Sequence, residues 1–113
     1  MTAVKLYKTS AAIINIMQFL IIKRPRENFI ETMTEEEGEV MSLHFAYLQK
    51  KLWEGKLIIA GPVTTGDFGL SVVETDSEEE AREIMNNDPA VKAGIMKPTM
   101  YPYRVSLLRG RDE

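Results

Sequence analysis

Residues 34–63 read TEEEGEVMSLHFAYLQKKLWEGKLIIAGPV, and the rest of the chain is organised around this stretch. Thr34 precedes Glu37 by three positions, the spacing of a capping box, and Glu35, Glu36 and Glu37 put negative charge at the positive end of a helix dipole. At 100° per residue Met41, Phe45, Leu48 and Leu52 fall on one stripe, flanked by Val40, His44 and Tyr47. Lys50, Lys51 and Lys56 suit the negative end, and Gly55 can take the left-handed conformation that closes a helix. Next comes a short apolar strand over residues 57–60, stopped by Gly61-Pro62. His44, the chain's single histidine, lies inside the apolar arc. An imidazole held there needs a hydrogen-bond partner elsewhere in the chain.

The 113 residues suffice for one domain with a core of its own. A net charge of −3, with the acids gathered at two helix starts, points to neither nucleic acid nor an anionic membrane as partner. With no cysteine and one histidine, the chain offers no disulfide framework, no thiol nucleophile and no metal cluster within one subunit. No cofactor is implied. The apolar run over residues 11–22 is too short for a membrane span and contains Asn15 and Gln18. A cytoplasmic location is the expectation.

Residues 12–23 are apolar at both parities, which predicts a strand covered on both faces, ended by Lys23-Arg24-Pro25-Arg26. These three cations could attract an anionic substrate near the sheet edge, but they read first as a solvated charged turn. Residues 29–33 lead into the long helix, with room for one helical turn. After Gly61-Pro62, Thr64-Thr65-Gly66-Asp67 is turn chemistry and predicts a hairpin into a strand over residues 69–74. Ser77 and Glu80 predict a second capping box, with Ala81, Ile84 and Met85 facing inward. Asp88-Pro89 ends that helix and opens a short turn through Lys92, with Asp88 as its cap. Residues 99–108 predict the last strand, at an edge because of Pro102.

This βαββαβ order predicts an α+β, ferredoxin-like sandwich. Its four-stranded antiparallel sheet carries both helices on one face, with the first and third strands central. The other face of the first strand, either the Phe19/Ile21 row or the Leu20/Ile22 row, is then left uncovered. A homodimer packed sheet to sheet is the simplest cover. Residues 1–16 are an N-terminal extension, 17–108 the domain, and 109–113 a charged tail.

The ordered set H-x-x-Y-L-x-x-L-x-x-x-G-x-L-x-x-A-G-P from His44 to Pro62, S-x-E-E-A from Ser77 and D-P-A-V-x-A-G from Asp88 resembles the YciI-like (YCII-related) family. Tyr101-Pro102-Tyr103 stands where that family has its closing strand, and the likeness runs over residues 17–108. The resemblance implies dimeric α+β barrels of ferredoxin-like subunits. It also implies a pocket holding the helix histidine and an acidic residue from the loop after Gly-Pro. Some relatives act on aromatic compounds, including dehalogenation-type chemistry on hydroxyquinones. On this reading His44 moves a proton with Asp67 as its acidic partner, Asp88 being the other candidate for that place, and Tyr47, Gly61, Pro62 and Asp88 form the substrate-binding set. Each residue also has a plainer role: His44 as a core histidine, Asp67 as a turn former, Asp88 as a cap, Tyr47 as packing. The alternative to an enzyme is a non-catalytic dimeric module that binds a small ligand or supports another enzyme.

Overall fold

The computed structural model describes residues 16–113. The expected extension therefore lies, but for Ile16, outside the described residues. Strand β1 (Met17–Arg24) is followed by helices α1 (Phe29–Thr32) and α2 (Glu35–Trp53). Strands β2 (Leu57–Pro62) and β3 (Gly69–Thr75), helices α3 (Glu78–Asn86) and α4 (Pro89–Lys92), and strand β4 (Lys97–Tyr103) complete the order. The strands form one antiparallel sheet in the order β2-β3-β1-β4, so β1 and β3 are central as the βαββαβ order predicts.

The alternation of β1 decides which face is which. Phe19 and Ile21 join Val73, Leu57, Ala81, Ile84 and Met85 in the core beneath the helices. Leu20 and Ile22, paired with Val72 and Leu70, point to the opposite face. Lys23 shares the parity of Phe19 and Ile21. It is therefore the last inward residue of the strand, not part of a solvated turn, and it is 4% exposed.

Local chemistry closes the helices. Thr34 and Glu37 make both halves of a capping box at α2. Arg26 reinforces it from outside, its guanidinium bonding the Glu37 carboxylate and holding that group down to about 2. Gly55 follows the helix at φ 78°. At α3 only half of the expected box forms. Ser77 accepts from the Glu80 amide, but the Glu80 carboxylate accepts from the amide of Asp76 and also meets Lys56.

Two expectations need correction. The closing strand ends at Tyr103, not at residue 108, because Gln18 is the partner of Tyr103 and β1 offers no partner beyond Met17. Past that point the Val105 amide donates to the Gln18 side chain. The edge position of β4 accommodates Pro98 and Pro102, whose missing N–H groups a central ladder would not tolerate. The second correction concerns α2: its apolar stripe does not pack tightly, and none of its residues is buried. Phe45 is 58% exposed. Tyr47 and Leu48 still pack against the core, while the Met41, Phe45 and Leu52 side of the helix borders a cavity over the sheet.

Candidate functional site

That cavity encloses about 660 Å³. Its roof is the Met41, His44, Phe45, Leu48 and Leu52 side of α2; its floor is β2 and the start of β3, including Ala60, Gly61, Pro62, Gly69 and Ser71. Lys23 enters from the end of β1, and Phe29, Ile30 and Phe68 close one end. The floor mixes these small residues with Leu57, Ile58, Ile59 and Leu70, and a Cβ added to Gly61 would meet nothing within 4 Å. Periodicity had identified which side of α2 turns inward; it could not say whether the space there is filled.

Asp88 organises the polar end. It lies at the N-cap of α4, where Oδ1 accepts the Ala90 amide at 2.9 Å and Pro89 starts the helix. The same carboxylate accepts Lys23 Nζ at 2.5 Å and lies 2.8 Å, through each oxygen, from His44 Nδ1. Asp88 is 0% exposed, while the His44 side chain keeps 16%. Burial pushes the Asp88 carboxyl upward, but the hydrogen bond from His44 and the charge and hydrogen bond of Lys23 outweigh it, so the group sits below its ordinary value. Asp88 is therefore ionised at neutral pH and can only accept. Nδ1 of His44 must then carry the proton, which leaves the lone pair of the neutral ring on Nε2. No described residue bonds Nε2.

This corrects two assignments. Asp67, expected to partner His44, sits on the exposed β2–β3 turn, where its carboxylate accepts from the Thr65 hydroxyl at 2.7 Å. It does not line the cavity. Its place in the sequence, just before Gly69, is explained by the turn alone. Asp88, expected among the substrate-binding residues, is too deeply buried to touch a ligand and instead holds the Lys23 and His44 side chains that line the cavity.

Gly61 and Pro62 do form part of the cavity floor. Tyr47 does not line this cavity. Its hydroxyl donates to the Ile84 carbonyl at 2.8 Å, tying α2 to α3. Burial first, then the charges of Asp88 and Glu54, push Tyr47 up to about 12, so it stays protonated and keeps that bond. It faces a smaller depression of about 240 Å³ with Lys51, Glu54 and Lys56.

Three polar residues of the cavity, Lys23, Gln49 and Ser71, were absent from the expected set. Lys23 had been grouped with Arg24 and Arg26, although its parity with Phe19 and Ile21 carried the signal. Ser71, opposite Ile21 on β3, also faces inward; it is 3% exposed and its Oγ has no hydrogen-bond partner among the described residues.

A carboxylate-held imidazole with a free nitrogen over an apolar cavity can take up or release a proton. Comparisons with known proteins agree with the architecture. Uncharacterized protein YjpA of Bacillus subtilis (strain 168) is 34% identical over 62 residues, which span 55% of this chain and 73% of that protein. Among solved structures, the 5-chloro-2-hydroxyhydroquinone dehydrochlorinase TftG from Burkholderia phenoliruptrix AC1100, in complex with 2,5-dihydroxybenzoquinone, superposes with a TM-score of 0.61 at 23% identity, covering 78% of this chain and 94% of TftG. MtbAldR gives a TM-score of 0.55 at 13% identity, covering 97% of this chain and 72% of its own. At these identities both structures speak for the fold. The YCII-related domain matches residues 17–101, which hold the whole sheet but its last two residues and both cavity-lining helices, and on that match the chain belongs to the YCII-related family.

Proposed function

We propose that this protein is a small-molecule enzyme in which His44 transfers a proton to or from a small cyclic or aromatic substrate bound between α2 and the sheet. The observation that carries this reading is the pairing of His44 Nδ1 with a fully buried Asp88, which leaves Nε2 as the reactive nitrogen of a cavity-lining ring. Asp88 is a positioning residue here: it fixes the tautomer and offsets the charge of the imidazolium that forms. With Asp88 at −1 and Lys23 at +1, protonated His44 brings the cluster to +1, which matches a substrate anion produced by loss of one proton.

The fold's likeness to a dehydrochlorinase supports the reaction class, since elimination of hydrogen and chloride needs a base for the proton as chloride leaves with its electron pair. The test is solvent exchange. Chlorinated and unchlorinated hydroxyhydroquinones in D2O should lose carbon-bound protons with the wild type, and the chlorinated ones should release chloride, while His44→Asn does neither. Binding without exchange or chloride release in the wild type would sink the enzyme reading. It would favour a ligand-binding module, for which the apolar wall of Met41, Phe45, Leu48, Leu52 and Phe68 already speaks.

The protein is further inferred to work as a homodimer through the sheet face turned away from the helices. Partly exposed Leu20 and Leu70 and exposed Tyr101 and Tyr103 lie on that face.

A further inference from the structure

We propose that Lys23 and Ser71 form an oxygen-binding subsite on the floor of the cavity, which takes an anionic phenolate or enolate oxygen of the ligand. The inference deepens the proton-transfer reading of His44 and rests on it for the words substrate and reaction, but not for the existence of the subsite.

Two unsatisfied donors carry it. An ammonium has three N–H groups, and that of Lys23 spends one on Asp88 Oδ2, its one hydrogen-bond partner among the described residues. Lys23 is nevertheless buried, so its other donors meet the cavity and not open solvent. The Ser71 hydroxyl is buried with no partner among the described residues, an arrangement that is unfavourable when nothing fills it. Ile21 is opposite Ser71 and Lys23 is opposite Gly69, which makes Lys23 and Ser71 diagonal neighbours on one face of adjacent central strands, roughly 7–8 Å apart at their Cα atoms. Gly69 beside them has no side chain to occupy the gap. One ligand oxygen placed there accepts from both the ammonium and the hydroxyl, and the rest of a ring then lies under the apolar side of α2, below His44.

The charge of Lys23 decides the class of oxygen. A neutral carbonyl would satisfy Ser71, but a charged donor at a buried site favours an anionic acceptor. A plain counterion role for Lys23 would account for its bond to Asp88. It would leave the orphaned Ser71 unexplained.

The test uses 2,5-dihydroxybenzoquinone, which ionises readily, and its 2,5-dimethoxy derivative, which has no hydroxyl to ionise. Calorimetry should give wild type a clear preference for the dihydroxy compound. Ser71→Ala should weaken that compound about tenfold while changing the dimethoxy compound less than twofold. Without ligand, Ser71→Ala should melt at or above the wild-type temperature, because it removes a buried group that lacks a partner. Lys23→Gln should abolish the preference. Since that variant disturbs Asp88 and can fail to fold, Ser71→Ala stands as the independent arm. Equal affinity of wild type for the two compounds, no binding of either, or equal losses for both in Ser71→Ala would overturn the subsite. His44→Asn should retain the preference while losing proton exchange, so a failure of the proton-transfer reading is distinguishable from a failure of this one.

Discussion

His44 Nδ1 lies 2.8 Å from both carboxylate oxygens of Asp88, although 44 residues separate the two. The contact joins the middle of α2 to the N-cap of α4, and through Lys23 it reaches the end of β1. Three elements thus converge on one buried carboxylate. The same carboxylate that caps a four-residue helix fixes which imidazole nitrogen faces the cavity.

Replacing His44 separates chemistry from folding. In His44→Asn, Asp88 keeps Lys23 and the Ala90 amide, so the carboxylate stays paired and the melting temperature should move by only a few degrees. Proton exchange on a bound substrate should fall by about 10²–10⁴-fold, the usual contribution of a placed acid or base. Thermal melts and exchange rates on the same samples check both halves. A large loss of stability would make His44 a structural residue first.

Replacing Asp88 should cost stability as well. Asp88→Ala strands the buried Lys23 ammonium and removes the cap of α4 together. The expected destabilisation is about 3–5 kcal/mol from the broken buried pair and about 1 kcal/mol from the cap. Urea unfolding measures it. Lys23→Met/Asp88→Asn should recover part of the loss, because no buried charge is then left alone. A double variant as unstable as Asp88→Ala would show that packing around the carboxylate, not its charge, matters most.

The fold was largely legible because its signals are local. Thr34 with Glu37 gave the start of α2, Gly55 its end, and the βαββαβ order the central place of β1. The site was less legible because it depends on which turn meets which helix. Asp67 and Asp88 both precede a turn in the sequence. Only the packing of α4 against α2 brings Asp88 beneath His44, while Asp67 is used within its own hairpin by Thr65. Lys23 shows a readable signal overlooked: in F-L-I-I-K the lysine keeps the parity of Phe19 and Ile21, and the flanking Arg24 and Arg26 disguised it as part of a charged turn. The emptiness under Met41, Phe45 and Leu52 had no local signal, since an apolar stripe looks the same over a core and over a cavity.

The sheet face away from the helices predicts self-association. Tyr101 is half exposed at the centre of edge strand β4, beside Leu20 of β1. Sedimentation equilibrium at micromolar concentration should give twice the chain mass for the wild type. Tyr101→Asp should shift the population toward the monomer while leaving the circular dichroism spectrum unchanged. A wild-type monomer with an intact fold would contradict the inferred homodimer.

Acid stability should bear the mark of Asp88. Its carboxyl is pushed up by burial but pulled further down by His44 and Lys23, and so lies below the value of about 3.9 expected in the unfolded chain. A depressed folded pKa means that the unfolded state binds protons first as the pH drops. The contribution is therefore complete above about pH 4–5, where both states are ionised, and is lost as the pH falls through the folded value. Glu37, held at about 2 by Arg26, shifts in the same direction, but that pair is on the surface and should fade in high salt. Urea midpoints measured from pH 7 to pH 2 in 1 M salt should thus isolate the buried carboxylate. The wild type should lose stability mainly below about pH 4, and Asp88→Asn should begin less stable and fall less steeply over that interval. Parallel curves for the two proteins below pH 4 would mean that other acids set the acid limb, and that the charge on Asp88 contributes little to folding.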